Sequence, residues 1–340
     1  MSLCRRILVA MILAGWGLGV PVAWAADPTT VRMGYQTLWN PIAEVYTVLR
    51  HTKILEANGL KGELVGFTYG GQMSEAIGAN LLDAANGGWM PTLSYFKAGP
   101  TWKIVSTIHD HGWFILVRDR EIREIPSLKG RTLGVPFGAL VQYTAIELFR
   151  KAGIEKDVRL VNIDAGSLVN AMEDKSVDGI IVWQGPVSSA VLSRNLGQAV
   201  SLEGSRKILT AIQAVSGDFL TKRPEAVVAF LKSLTMAFSY ASKNREQVID
   251  WYLRDHPQIK LGKAQIEANW AADRHLRKPS EIKDVDLRLK KDDFEFGQSI
   301  ADMVYGMKVL PKFNVRDLTN LEPMERAYRE IQAGNYPRLN

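Results

Sequence analysis

The stretch from Ser127 to Gly153 constrains the fold of this chain more than any other. Its Arg131–Pro136 part reads RTLGVP, a short apolar run closed by a proline, which predicts a buried strand. Gly138 follows as a turn, and apolar residues then recur at helical spacing from Leu140 to Lys151. The N–H groups at the start of such a helix lack internal partners and point beyond the strand end. In open α/β sheets, ligands bind at that edge.

The same order of strand, glycine or proline, and helix occurs three more times. The predicted strands are Val31–Gln36, Leu82–Asn86 and Val177–Trp183. Alternating strands and helices predict an α/β fold with a mostly parallel sheet and helices on both faces. Together with the first unit, these strand ends give four places at which we expect the wall of a ligand cleft.

The first 25 residues predict a cleaved signal peptide and not a part of the fold. Arg5 and Arg6 precede the apolar run Ile7–Val20, and Ala23–Trp24–Ala25 is a small-x-small cleavage signal. A retained membrane anchor is the alternative, but the run is short for a membrane span. We expect cleavage after Ala25 or Ala26.

The composition excludes several kinds of function. Cys4 is the single cysteine and lies in the predicted signal peptide, so the processed chain has no disulfide, zinc–thiolate cluster or cysteine nucleophile. Loss of Arg5 and Arg6 lowers the formal charge from +6 to +4. The other basic residues are interleaved with acidic ones, so the sequence shows no basic patch of the kind that binds nucleic acid. The G-x-S-x-G, phosphate-loop and H-E-x-x-H motifs are absent from the sequence. We expect no enzyme, no cofactor and no resident metal.

Four phrases in chain order carry a family resemblance. They are GYQ at Gly34–Gln36, DAANGGWMP at Asp83–Pro91, LKGRTLGVPFG at Leu128–Gly138 and VDGIIVWQGP at Val177–Pro186. In this order, behind a signal peptide, they resemble the periplasmic binding proteins of the nitrate/sulfonate/taurine ABC importers. The likeness extends roughly from Val31 to Phe238.

The resemblance implies a two-lobed type II periplasmic binding fold with a ligand cleft between the lobes. The expected protein is a monomeric periplasmic receptor that closes on a small solute and presents it to a membrane permease and its ATPase. The expected boundaries are a signal peptide at 1–25, a first lobe at 26–117 plus 218–340, and a second lobe at 118–217. The hinges are expected near Val117–Asp119 and Ser216–Phe219.

The resemblance also implies which residues touch the ligand. The positions matching the strand-end phrases are Gln36, Trp39, Asn40, Asn86, Gly88, Trp89, Met90, Phe137, Gly138, Ala139, Gln142, Trp183 and Gln184. For Gln36 the alternative is a turn cap, and for the three tryptophans it is a place in the core.

Two departures from the family bear on the ligand. Where sulfonate binders carry hydroxyl residues, this chain has Trp89 and Met90 in one phrase and Phe137 to Leu140 in another. Where taurine-type members place an acid, this chain has the neutral Gln184. We therefore expect an organic solute with an aromatic or apolar part and an acidic group; an alkanesulfonate or taurine is the alternative.

The segment His109–Asp110–His111 is peculiar to this chain, and we expect it in a loop, Thr107–Gly112, at the cleft. In extended backbone the two histidines fall on the same side. Three interpretations stay open: hydrogen bonds to a carboxylate or heterocycle, a solvated loop, and a metal site that has no further ligands in sequence. A periplasmic enzyme using His109 or His111 as an acid–base group is the alternative from a different class.

Overall fold

A computed structural model describes residues 28–39, 41–203 and 208–338 of the chain. The predicted signal peptide and the candidate ligand residue Asn40 lie outside the described residues. Among the described residues, no helix has both the length and the apolar character that a membrane crossing requires.

Within the described parts of the chain, nine strands form one continuous sheet in the order β2-β1-β3-β9-β4-β7-β5-β6, with β8 paired to β4. Their bounds are β1 Thr29–Gln36, β2 Leu60–Phe67, β3 Ala84–Gly88, β4 Lys103–Val117, β5 Thr132–Val135, β6 Arg159–Asn162, β7 Gly179–Trp183, β8 Gln198–Ala199 and β9 Ile208–Val215.

Helices cover the sheet and continue beyond it. Their bounds are α1 Ile42–His51, α2 Ile54–Ala57, α3 Met73–Gly78, α4 Trp89–Ala98, α5 Leu140–Lys151, α6 Leu168–Glu173, α7 Pro186–Ser193, α8 Gly217–Lys222, α9 Pro224–Lys243, α10 Arg245–Asp255, α11 Lys263–Ala268, α12 Lys291–Gly306 and α13 Glu322–Gln332. The alternation of strands and helices confirms the predicted α/β class.

The sheet has two halves, each built around parallel strands. In one half β1 is parallel to β2 and β3, and in the other β5 is parallel to β6 and β7. The long strand β4 belongs to both, because Lys103–Gly112 pairs with β9 and Trp113–Val117 pairs with β7. We call the half with β1, β2, β3 and β9 the first lobe, and the half with β5, β6, β7 and β8 the second lobe.

The structure corrects the expected loop at Thr107–Gly112. These residues lie inside β4, and their backbone pairs with β9 through two register shifts, between Ile104 and Ser106 and between Thr107 and His109. The hydrophobic pattern of the sequence predicts two short strands here, because polar residues interrupt the apolar run. The partner strand β9 supplies the hydrogen bonds that keep the segment extended.

The strand pairing also favours crossing points other than the expected hinges. The chain enters the second lobe at Gly112–Trp113, within β4, and has returned to the first lobe by Ile208, where β9 begins to pair with β4 and then β3. The expected hinges at Val117–Asp119 and Ser216–Phe219 lie beyond both points. Residues 208–215 therefore pair with the first lobe and not, as expected, with the second.

The C-terminal helices thicken the first lobe. Helix α9 packs against α1 and α13, and it buries an apolar face that includes Phe230, Leu234 and Phe238. Behind the sheet, the chain from Asp273 to Leu287 runs along β4, where Leu287 accepts a hydrogen bond from the N–H of Thr107. Together with the N–H of Asp110, which donates to Asp273, this contact fixes the part of β4 that pairs with β9.

Candidate functional site

A narrow cavity lies between the two lobes. Its walls are Gln36, Trp39, Tyr69, Gly70, Gly88, Pro91, His111, Ala139, Leu140, Val141 and Trp183. The space open to the centre of a water molecule is about 20 Å³, within a free volume of about 320 Å³ that includes the open mouth. A buried water needs roughly 10–15 Å³ measured in this way, so the cleft holds little more than one water in this conformation.

Two strand ends of the first lobe are joined by side-chain amides. The Nε2 of Gln36 donates to the Oδ1 of Asn86 at 3.3 Å, and the Nδ2 of Asn86 donates to the carbonyl of Gly34 at 3.3 Å. Gln36 lines the cavity, whereas Asn86 is fully buried behind it. Asn86 therefore orients Gln36, and Gln36 presents the remainder of its amide to the cleft.

Trp39 is the centre of an aromatic cluster in the first lobe. Its ring meets His109 and His111 edge-on, with centroids 4.7 and 4.4 Å away, and lies 6.5 Å from the ring of Trp183. Both tryptophans line the cavity. Of the three tryptophans expected at the ligand, Trp39 and Trp183 lie in the walls of this cavity, and their contact with a ligand stays a prediction.

The first turn of α5 provides the opposite wall. Ala139, Leu140 and Val141 line the cavity at the end of the helix where N–H groups lack intrahelical partners. Gly138 has φ +82°, which favours glycine, and its N–H donates to the Oε1 of Gln142 at 2.8 Å. The Gln142 side chain is therefore engaged as a cap of its own helix and is not among the cavity walls.

Three further predicted residues lie off the cavity. Phe137 is 42% exposed, and its N–H donates to the Oδ1 of Asn162. The Oε1 of Gln184 accepts from the N–H of Gly112 at 3.1 Å, so this amide fixes the crossing in β4. Met90 is buried outside the lining residues.

Trp89 points away from the cleft. It is fully buried, and a Cβ placed on Gly297 of α12 would lie 2.4–2.6 Å from the six-membered part of its ring. Only a glycine leaves room for this ring against α12. The geometry therefore favours the core alternative for Trp89.

His109, Asp110 and His111 are buried in β4, which excludes the interpretation as a solvated loop. The two histidines lie on the same side, as expected, with ring centroids 5.1 Å apart. Asp110 faces the other side, where it accepts two hydrogen bonds from Arg274, at 2.6 and 2.9 Å. Within the described residues, no group of three or more His, Cys, Asp or Glu side chains is placed to hold a metal ion.

Burial strongly shifts the pKa values of the two histidines and of Asp273. It lowers the pKa of His109 to about 4, against the attraction of Asp110, and it lowers the pKa of His111 well below the usual value, with His109 adding to the effect. Burial also raises the pKa of Asp273 to about 7, although backbone N–H groups that donate to this carboxylate oppose the rise. The histidines are therefore neutral at neutral pH.

The cavity has further walls that the sequence did not predict: Tyr69, Gly70, Pro91, Leu140 and Val141. Pro91 stands in a family phrase, and the last two open a predicted helix. Tyr69 and Gly70 lack a comparable signal. The hydroxyl of Tyr95 lies 2.9 Å from the Gly70 carbonyl and 3.0 Å from that of Asn86, which brings this loop to the strand end. Such a contact is formed only in the folded chain.

Comparison with known proteins agrees with this architecture. The family model described as NMT1/THI5 like matches residues 97–248. A Bacillus subtilis protein, named for the binding of aliphatic sulfonates, is 22% identical over 336 residues, with 96% of this chain and 97% of that protein covered. A Brachyspira hyodysenteriae protein, named as an ABC transporter periplasmic binding protein, is 24% identical over 266 residues, covering 72% of this chain and 75% of its own length.

Two solved structures show the same fold. The alkanesulfonate-binding protein SsuA from Xanthomonas axonopodis pv. citri, bound to MOPS, has a TM-score of 0.72 and 19% identity over 87% of this chain and 99% of that one. A mutant of DszB in complex with biphenyl-2-sulfinic acid has a TM-score of 0.66 and 16% identity, with 89% of this chain and 99% of that one covered.

The chain has the two-lobed α/β fold that is found in periplasmic binding proteins. The predicted resemblance is confirmed: the chain is similar to the NMT1/THI5-like family model over residues 97–248 and to periplasmic binding proteins of ABC importers.

Proposed function

We propose that this chain is the solute receptor of an ABC importer in a bacterial periplasm. One observation carries the proposal: residues of both lobes line a single cavity, where the strand ends of one lobe face the N-terminus of α5 in the other. A ligand held there joins the two lobes, which is how a binding protein reports its loaded state to a permease. The names of the relatives support the same role.

The walls favour a small organic acid as the ligand. Trp39, Trp183 and Leu140 give an apolar and aromatic lining, which suits a ring or an alkyl part. The first N–H groups of α5 favour negative charge by about 0.3–1 kcal/mol, and by up to about 2 kcal/mol where they are partly buried. Within the described chain, no Lys or Arg is among the lining residues.

An alkanesulfonate or taurine is the second candidate. It is favoured by the relatives that are named for sulfonates, one of them solved with MOPS. The lining offers few side-chain donors for a sulfonate, mainly Gln36, Tyr69 and His111. A sulfonate with an apolar or cyclic part fits both the walls and the relatives.

Capture requires that the lobes separate, because the cavity in this conformation is too small for an organic acid. We place the hinge where β4 passes between the lobes, at Gly112–Trp113, and where β9 begins beside it, at Ile208. The cycle then consists of open lobes, ligand entry, closure, and docking on the permease and its ATPase. The chain acts as a monomer, and the ligand leaves it chemically unchanged.

Catalysis is the competing proposal, because the fold is also that of the desulfurization enzyme DszB. The chain has no cysteine other than Cys4, and no Ser, Thr or Cys is among the described walls of the cavity beside His111. Recovery of unmodified ligand after prolonged incubation with the protein supports a receptor, and appearance of a product contradicts it.

A thermal-shift screen tests the proposal. The chain from Ala26 onward is unfolded with benzenesulfonate, benzoate, MOPS, taurine, ethanesulfonate, nitrate and a pyrimidine, each in excess. A ligand at a hundred times its Kd stabilises the fold by about 2.7 kcal/mol. We expect the largest shifts with benzenesulfonate, benzoate or MOPS. Shifts confined to taurine and ethanesulfonate select the second candidate, and no shift with any compound contradicts the proposed ligand class.

Substitutions of Trp39 and Trp183 test whether these side chains bind the ligand or only pack in the core. We expect Trp39→Ala and Trp183→Ala to weaken binding at least tenfold. Trp251→Ala serves as the matched control, because Trp251 stacks on His51 and Tyr240 away from the cavity. Unchanged affinity in both cleft variants contradicts the aromatic pocket.

A further inference from the structure

A buried carboxyl group and two buried imidazoles lie directly behind the cleft. The Nδ1 of His109 is 3.7 Å from the Oδ2 of Asp273, and the ring of His109 lies 5.1 Å from that of His111. His111 in turn forms part of the cavity wall. We call His109, His111 and Asp273 the acid–histidine cluster; it leads from the core of the first lobe to the ligand.

The hydrogen bonds of the two imidazole rings in this cluster are incomplete. Asp273 accepts from the backbone N–H groups of Asp110, His275 and Leu276, at 3.1, 2.7 and 3.0 Å. In contrast, both ring nitrogens of His109 and the Nδ1 of His111 have no hydrogen-bond partner within the described chain. A buried polar atom without a partner is destabilising, so His111, which lines the cavity, gains from a polar group that enters the cleft.

Among the described residues, no Lys or Arg lines the cleft beside the acid–histidine cluster, so an anion that enters has no cationic side chain to pair with. Arg274, on the segment that carries Asp273, is paired with Asp110 on the outer side of β4. Trp39 packs against both histidines, and Trp183, Gln36 and Tyr69 line the same cavity as His111. Other titratable groups near the cluster include His275, Asp286 and Lys290 on the segment that follows Asp273, and the buried Glu44 on α1.

An anionic ligand and an ionised Asp273 therefore place two like charges in one poorly solvated region. Opposing charges are required there, because an uncompensated buried charge costs several kcal/mol. The three groups of the acid–histidine cluster are the titratable side chains in position to supply the compensation. A proton bound by any of them reduces the net charge by one unit.

Given that the chain is a receptor for an organic acid, we propose that the acid–histidine cluster takes up one proton when an anionic ligand enters the cleft, and that His111 then donates a hydrogen bond to the acidic group of the ligand. The proton comes from solvent and returns to solvent on release. Ligand selectivity follows, since a neutral analogue of the same shape leaves the protonation of the cluster unchanged.

The sign of the pH dependence follows from linkage. Both histidines are neutral in the ligand-free cleft because burial holds their pKa values far below the usual range. Uptake of one proton on binding makes the affinity fall by up to tenfold for each unit that the pH rises, over the range between the pKa of the empty cluster and that of the loaded cluster. The affinity for anions is accordingly higher in mildly acidic surroundings.

Calorimetry measures the proton directly. Benzenesulfonate and benzoate are titrated into the chain from Ala26 at one pH in phosphate and in Tris, which differ in ionisation enthalpy. The difference in observed heat gives the number of protons exchanged. We expect about one proton taken up per anion bound, and none with benzenesulfonamide or benzamide, their neutral analogues.

Two variants of the acid–histidine cluster test whether its residues take up the proton or only support the packing of the cleft. In His111→Gln we expect proton uptake near zero and an affinity for benzenesulfonate at pH 6 that is at least tenfold lower. In Asp273→Asn, which removes the buried negative charge, we expect an affinity that no longer falls between pH 6 and 8 and exceeds the wild-type value at pH 8. His51→Gln is the control, since His51 pairs with Asp255 outside the cavity, and it keeps the wild-type proton number.

Anion binding without proton exchange overturns the inference and leaves the receptor proposal intact. A uniform loss of affinity at every pH in both cluster variants, with one proton still taken up, shows that the cluster is only structural and also overturns it. If neither anion binds, the proposed ligand class fails and this inference fails with it. Where Asp273→Asn does not fold, His111→Gln decides alone.

Discussion

The indole N–H of Trp183 donates to the carbonyl oxygen of Leu38 at 3.2 Å, and this hydrogen bond spans the cleft. Trp183 ends β7 in the second lobe, and Leu38 follows β1 in the first. The two lobes are therefore held together by a bond that uses the same side chain that we propose to face the ligand.

Replacing this tryptophan by phenylalanine removes the bond and keeps an aromatic ring. A buried hydrogen bond contributes about 1 kcal/mol, so we expect the ratio of closed to open molecules in Trp183→Phe to fall about fivefold. Small-angle X-ray scattering of the ligand-free protein measures the change as a larger radius of gyration. Trp251→Phe is the control, and scattering curves that match the wild type show that the bond does not hold the lobes.

The contact between Trp89 and Gly297 predicts a stability effect in a helix where alanine is normally favourable. Alanine in a helix interior is preferred to glycine by about 0.5–1 kcal/mol. In Gly297→Ala, however, the new Cβ lies 2.4 Å from the Trp89 ring, and overpacking of this kind costs about 1–3 kcal/mol. We expect the clash to dominate and the free energy of unfolding to fall.

Gly306→Ala, in the same helix α12, is the matched control for this substitution, because a Cβ there has no neighbouring atom within 4 Å. We expect it to be neutral or slightly stabilising. Urea unfolding compares the two variants. Equal effects of the two substitutions contradict a tight contact at Trp89.

Asp83 opens a family phrase, and the structure gives it a structural role. Its carboxylate accepts from Arg32 and from Arg223, at 3.0 and 2.6 Å, and these arginines hold its pKa below the usual value against burial. Removing one partner of a buried ion pair costs about 3–5 kcal/mol, and both arginines are a third exposed, so we expect the low end of this range for Asp83→Ala.

Chemical unfolding measures this loss. Asp218→Ala removes an exposed partner of Lys222 and is expected to cost less than about 1 kcal/mol. Similar losses in the two variants contradict a special role for Asp83. Because the folded pKa of Asp83 is lowered, its contribution to stability is present at neutral pH and is lost only as the pH falls through that lowered value.

The buried histidines predict that the ligand-free protein loses stability on mild acidification. The pKa values of His109 and His275 are lowered to about 4, and that of His111 is also lowered, so the unfolded chain binds these protons first as the pH falls below 6.5. Asp273 acts in the opposite sense: with its pKa raised to about 7, it stabilises the fold at low pH and loses that effect as the pH rises through 7.

Three histidines outweigh one carboxyl group in this range. We expect the free energy of unfolding to fall by about 1–3 kcal/mol between pH 7 and pH 5, as measured by thermal unfolding. His109→Gln removes one titrating group and should flatten the dependence. An unfolding temperature that is constant or rises on acidification contradicts the prediction.

Local patterns in the sequence determine much of this fold. Helix α5 runs from Leu140 to Lys151, the bounds that helical spacing predicts, and β1 ends at Gln36 as expected. Such elements are readable because strand alternation and helical periodicity place apolar residues within a few positions of each other. The family phrases add the expectation of a cleft, and Gln36, Trp39, Gly88, His111, Ala139 and Trp183 do lie together in its walls.

Only the tertiary structure decides what depends on distant partners. The segment of β4 around His109 stays extended because β9, about a hundred residues later, pairs with it. Trp89 packs in the core and not in the cleft, because Gly297 of α12 leaves room for its ring. Asp273 lies beside His109 although the two are more than 160 residues apart in sequence. These contacts join residues that are far apart in sequence, so short stretches of sequence cannot reveal them. The sequence alone determines the helices and strands, and tertiary packing determines which side chains line the cleft.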